Sequence, residues 1–154
     1  LIIDLPPGTG DVQLTLCQKI PVSGAIIVTT PQDISLIDAR KGLKMFEKVE
    51  VPVLGIVENM STHVCKKCGH IESIFGEGGG EQLASEAGVK LLGELPLEKQ
   101  IREEMDKGTP TVSSNPMDPA SLAYRDIARK MTATLSMRKK DYSSAFPKIV
   151  IQND

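Results

Sequence analysis

Two cysteines three positions apart stand in the segment Cys65-Lys66-Lys67-Cys68-Gly69, with His63 before it and His70 after it. Two thiolates at this spacing grip one metal ion or one face of an iron–sulfur cluster. A [4Fe–4S] centre usually takes four thiolates. One chain offers only two closely spaced ones, so a symmetric dimer supplying two pairs completes the set. Other readings of the pair remain open: structural zinc with His63 and His70 in a cramped tetrahedral site, or a pair of inert thiols. A thioredoxin-like redox pair fits less well, because the motif does not open a helix. His63 and His70 read as neighbouring or surface residues rather than ligands. Lys66 and Lys67 read equally as groups that lower the thiol pKa values or as solvated loop residues. Cys17 lies in the apolar helical pattern Val12–Cys17 and reads as a buried structural thiol.

The second candidate group is acidic. Leu1-Ile2-Ile3-Asp4 has the shape of a Walker B strand, which delivers a carboxylate to the rim of a sheet where Mg²⁺ and phosphates lie. Pro6-Pro7-Gly8-Thr9-Gly10-Asp11 follows directly. Its prolines stiffen the approach, and its glycines let the backbone come close, so the Gly8 N–H can meet a γ-phosphate. That arrangement suits a switch sensing ATP against ADP. The plain alternative is an ordinary strand-to-helix turn with Asp4 bonded to backbone. Asn59 ends the third apolar run, and its amide offers the donor and acceptor that suit the edge of adenine; otherwise it is a turn residue. Gly78-Gly79-Gly80 lacks a following Lys-Ser/Thr pair and reads as a hinge between the cysteine loop and the next helix.

Four short apolar runs must position these groups: Leu1–Leu5, Ala25–Thr30, Val53–Val57 and Lys90–Leu95. Helical patterns lie between them. Asp11 can cap a helix reaching about Ile20, and Asp33 opens one with Leu36, Ala39, Leu43 and Phe46 on one face. A short helix after the glycines ends at Gly88, another runs to about Lys107, and the last starts at Asp118-Pro119 with Ala123, Ile127, Met131 and Leu135 on one face. Met45, Met105 and Met131 read as core. Continuous apolar strands alternating with amphipathic helices predict an α/β fold, a mostly parallel sheet with helices on both faces. Ligands bind such sheets at the carboxyl ends of the strands. Asp4, Thr30-Pro31-Gln32, Glu58-Asn59 and Leu95-Pro96 all sit at those ends. Residues 1–137 read as one domain with a cluster-binding loop at 59–80, and 138–154 as a tail whose segment Ala145–Ile151 is an edge strand or a docking segment.

Composition limits the function classes. The 154 residues carry 40% hydrophobic and 25% charged side chains, ordinary for a globular domain. A net charge of −2 and 3% aromatics argue against a nucleic-acid surface. No apolar run approaches the roughly 18 residues of a membrane span. Three cysteines without a signal peptide fit a reducing, cytoplasmic setting.

Asp4-Leu5-Pro6-Pro7-Gly8-Thr9-Gly10-Asp11 resembles the switch II signature of the Mrp/Nbp35/ApbC iron–sulfur carrier ATPases, P-loop proteins alongside the MinD and ParA families. The likeness continues through Thr30-Pro31-Gln32, Gly55–Ser61, Cys65–Gly69, Phe75–Gly80, Leu92–Leu97 and Asp106–Pro110. It implies a MinD/ParA-like architecture and a [4Fe–4S] cluster bridging two protomers through Cys65 and Cys68. It also implies transfer of that cluster to apoproteins, with ATP and Mg²⁺ used by the intact protein. Asp4 would lie near Mg²⁺, Gly8 would sense the γ-phosphate, Asn59 would read adenine, and Pro96 would pack near the base. The family's lysine-bearing glycine loop lies before its Walker B strand, and no such loop occurs in these residues. The expectation is a chain truncated at its N-terminus that does not hydrolyse ATP appreciably by itself. The alternatives are a MinD/ParA-type positioning ATPase, against which the cysteine pair counts, and a zinc-stabilised, non-catalytic interaction domain.

Overall fold

The computed structural model describes residues 1–6 and 10–138. Its elements run α1 (Asp11–Lys19), β1 (Ala25–Thr29), α2 (Asp33–Lys48), β2 (Val53–Glu58), β3 (His63–Val64), β4 (Ile71–Glu72), α3 (Gly79–Ala87), β5 (Leu91–Glu94), α4 (Lys99–Asp106), α5 (Thr111–Ser114) and α6 (Pro119–Ser136). β2 is uncharged until Glu58, so it can be buried on both faces. It takes the centre of a three-stranded sheet, parallel to β1 on one side and β5 on the other. Parallel neighbours require crossovers, which α2 and α3 supply.

The two faces of β2 enter two cores. Ile56, fully buried, packs with Ile27 of β1 and with Leu36, Ala39, Phe46, Leu83 and Ala84 of α2 and α3. Val57 points the other way, with Leu92 and Leu95, under Ala123, Tyr124, Ile127 and Met131 of α6. Burial of each large apolar side chain contributes about 1.5–3 kcal/mol. The sheet thus has helices on both faces, as the sequence pattern predicts. Asp118 starts α6 by accepting the Ala120 N–H at 2.9 Å, with Pro119 in the first turn.

Several expectations are corrected. Leu1–Leu5 forms no strand: its residues pair with no neighbour among the described ones. A strand persists through ladder bonds, and β1 gives its ladder to β2. Leu1 and Ile2 are fully exposed, while Leu5 packs against the α2–α3 core. Asp11 lies inside the first turn of α1, and Gly10 takes the cap position without a side-chain bond. Met105 and Leu135 are exposed rather than core. Gly79 and Gly80 are buried in the first turn of α3, so they are close-packing positions rather than a hinge. The β3–β4 hairpin and α5 were not legible as separate elements. Gly8 and the Ala145–Ile151 segment lie outside the described residues.

Candidate functional site

The cysteines occupy the turn of the β3–β4 hairpin, in which His63 faces Glu72 and Val64 faces Ile71. The Cys65 N–H donates to the His70 carbonyl at 2.9 Å, and the Gly69 N–H donates to the Cys65 carbonyl at 2.8 Å. This tight turn aims the backbone N–H groups of Cys68 and Lys67 at the Cys65 sulfur. Those two bonds, then the Cys68 thiol, pull the Cys65 pKa below the ordinary thiol value; desolvation opposes them and the charge of His63 assists. The thiolate is the form of cysteine able to bind a metal, and the turn favours that form. Cys65 is half-buried, and Cys68, Lys66 and Lys67 are exposed. The backbone of Lys67, rather than its ammonium, supplies one of the main stabilising contacts.

Among the described residues no group of three or more His, Cys, Asp or Glu side chains is placed to hold a metal. In this arrangement His63 and His70 are not gathered around the two thiols. His63 turns its Nδ1 to the Leu97 carbonyl at 3.0 Å, and His70 is exposed. Cys17 is buried in the α2–α3 core, and burial pushes its thiol pKa up.

The hairpin grows from the carboxyl ends of β2 and β5. The Asn59 N–H donates to the Thr29 carbonyl at 2.7 Å, tying the ends of β2 and β1 together. The Leu95 N–H donates to the Glu58 carbonyl at 2.8 Å, and the Ser61 N–H returns a bond to the Leu95 carbonyl at 3.0 Å. Asn59 and Pro96 thus lie at neighbouring strand ends. The Asn59 Oδ1 accepts the N–H of Met60, which adopts a left-handed φ of 57°. Asp4, on the exposed and unpaired first segment, is joined to this rim by no described hydrogen bond or ion pair.

The sequence places Glu58 at a strand end but gives it no role of its own. It is buried at the end of β2, and its carboxylate accepts the Gly80 N–H at the start of α3. Burial pushes its pKa up, the Gly80 bond partly offsets this, and Glu94 and Glu81 add to the rise. A charge ending an otherwise apolar central strand was the available signal. The groove of about 540 Å³ between α2 and α3 involves Val51, Pro52 and Val53, at the amino end of β2. It lies away from the rim where parallel sheets bind ligands.

A parallel sheet with helices on both faces and its candidate groups at the carboxyl ends has the architecture of the P-loop NTPases. The fold matches the MinD cell division protein of Aquifex aeolicus at a TM-score of 0.60, over 80% of this chain and 48% of that one, at 23% identity. It also matches a nucleotide-binding protein from Archaeoglobus fulgidus, solved in complex with ADP, at a TM-score of 0.64 and 35% identity, over 78% and 48% of the two chains. Residues 1–132 match the family described as "ParA: NUBPL iron-transfer P-loop NTPase", and the chain belongs to that family. The iron–sulfur cluster carrier protein of Escherichia coli K12 is 62% identical over 135 residues, which is 88% of this chain and 37% of that protein. The chain therefore spans well under half of the length of that relative. Among the described residues, no helix is long and apolar enough to cross a membrane.

Proposed function

We propose that this chain carries the cargo site of an iron–sulfur cluster carrier, with Cys65 and Cys68 binding a [4Fe–4S] cluster for transfer to apoproteins. The single observation that carries the reading is the Cys65 turn, whose backbone N–H groups favour a thiolate on the rim of a P-loop sheet. The names of the relatives support it. With two thiolates on one chain, the cluster bridges two protomers in a homodimer. Free thiols at all three cysteines suit a reducing, cytoplasmic setting.

The family also implies an adenine nucleotide. The residues present fit its base end: the Asn59 Oδ1 is taken by Met60, leaving Nδ2 to donate to a ring nitrogen, with Pro96 alongside. They do not supply a phosphate clamp, because the 154 residues contain no lysine-bearing glycine loop. Asp4 and Gly8 are assigned to Mg²⁺ and γ-phosphate in a protein that also carries such a loop, where ATP hydrolysis would power loading or release.

Anaerobic reconstitution with iron and sulfide tests the cargo site. The expected product is a brown dimer holding one [4Fe–4S] cluster, with the colour lost in a Cys65→Ala/Cys68→Ala variant. Stoichiometric zinc in a colourless monomer would overturn the reading.

A further inference from the structure

The cysteine hairpin has little apolar packing of its own. Val64 and Ile71, its cross-strand pair, are both exposed, and so is Ile74 on the way out. A two-stranded hairpin of this size is not stable alone in water. Its exit passes through Gly76 and Gly78, with φ of 106° and 70°, and the bond from Ser73 Oγ to Glu77 there stays within the loop. The entry side is different. Ser61 donates to the Leu95 carbonyl through both its N–H and its Oγ, at 3.0 and 3.1 Å. The Leu97 N–H donates to the Thr62 carbonyl at 2.8 Å. The His63 Nδ1 then donates to the Leu97 carbonyl at 3.0 Å, since a carbonyl can only accept. Three consecutive residues leading to Cys65 are thus bound to Leu95–Leu97, the segment holding Pro96 beside the base-reading Asn59.

We propose that His63 is a positioning residue that fixes the cysteine hairpin to Leu95–Leu97, so that metal occupancy of the thiolates and the order of that segment are coupled. The proposal rests on the cargo-site reading above. Its logic is reciprocal: if ligation at Cys65 and Cys68 steadies Leu97, then a ligand that holds Leu95–Leu97 steadies the thiolates. A short strand end, rather than a helix or a domain movement, would connect the base side to the cluster side.

The test uses cadmium(II), a soft ion that thiolates bind, on the reduced chain. Ultraviolet thiolate-to-metal charge transfer reports binding, and amide hydrogen exchange of Ser61 and Leu97 reports coupling. Cadmium is expected to slow exchange at Leu97 by about tenfold in the natural chain, within the usual range for coupled sites. In His63→Leu the charge-transfer band should persist while the slowing falls away, and His63→Asn, which keeps a donor near the Nδ1 position, should restore it. A band with no slowing in the natural chain overturns the coupling and leaves the cargo site standing. Equal slowing in His63→Leu overturns the role of His63. The absence of any band overturns the cargo site and this proposal with it. The natural-chain arm decides the coupling even if His63→Leu fails to fold.

Discussion

The carboxylate of Glu58, at the end of β2, accepts the N–H of Gly80, at the start of α3, and the two residues bracket the whole cysteine hairpin. The bond closes a 22-residue excursion, so the loop leaves the sheet and returns to it at one point. A Cβ on Gly80 would meet the Glu58 Cβ at 2.9 Å and its Oε2 at 3.0 Å, so the approach depends on glycine.

Gly80→Ala is therefore expected to destabilise the fold. Alanine is worth roughly 1 kcal/mol over glycine inside a helix, which sets the opposing sign. The overlap with a buried carboxylate should win, since overpacking typically costs about 1–3 kcal/mol. Urea unfolding of the two proteins measures the difference, and an unchanged or raised midpoint would show that Glu58 gives way easily.

Glu58→Gln separates the hydrogen bond from the charge. The folded-state pKa of Glu58 is raised, mainly by burial, above its ordinary value of 4.5. Its contribution to stability is fully present below that value and is lost as pH rises through the raised folded value. Glutamine keeps an oxygen for the Gly80 N–H and does not titrate. The variant should therefore gain stability relative to the natural chain as pH is raised from 4.5 towards neutrality. Unfolding midpoints across that window check it; parallel curves would mean that Glu58 is effectively solvated.

Much of the architecture was legible because it is local. The apolar run Val53–Val57 announces a strand buried on both faces, and the spacing of Leu36, Ala39, Leu43 and Phe46 announces α2. The thiol spacing and the position of Asn59 at the end of a run marked the rim in the same way. The remainder depends on contacts across the chain. Leu1–Leu5 has strand composition, but a strand also needs a neighbour, which composition cannot supply. The strands of the β3–β4 hairpin have two residues each, too short for any periodicity. Gly79 and Gly80 look like a flexible run until Leu36, Pro31 and Glu58 are seen against them.

Two other glycines should respond in opposite directions to the same substitution. A Cβ on Gly55 would meet the Leu92 Cγ at 2.6 Å and the Lys90 carbonyl oxygen at 2.7 Å. That oxygen accepts the Ile56 N–H, so it cannot retreat without loosening β2 from β5. Gly55→Ala should cost about 2–3 kcal/mol, at the upper end for overpacking, and should also disturb the Asn59–Pro96 rim. On Gly42, inside α2, a Cβ finds only the Ile27 Cδ1 at 3.6 Å, an ordinary contact. Gly42→Ala should stabilise by about 0.5–1 kcal/mol through helix propensity. Thermal unfolding of both variants gives the comparison, and shifts of the same sign would contradict the packing described.

Alkylation kinetics distinguish the two ways in which Lys67 can act on Cys65. The Cys65 pKa is lowered first by the backbone N–H groups of Cys68 and Lys67, whereas burial raises that of Cys17. The thiolate is the reactive form, so the rate at Cys65 should climb with pH to a midpoint below the ordinary 9.0, with Cys17 reacting slowly throughout. Lys67→Ala removes the ammonium and keeps the N–H. If the backbone dominates, the Cys65 midpoint in that variant should stay close to that of the natural chain. A midpoint returning to 9.0 would assign the effect to the exposed lysine charge instead. In that case raised salt should also shift the natural chain upward, because exposed charges are screened over about 10 Å at 0.1 M ionic strength. Stabilisation by a backbone N–H should be nearly indifferent to salt, so the two measurements together decide which part of Lys67 prepares the thiolate.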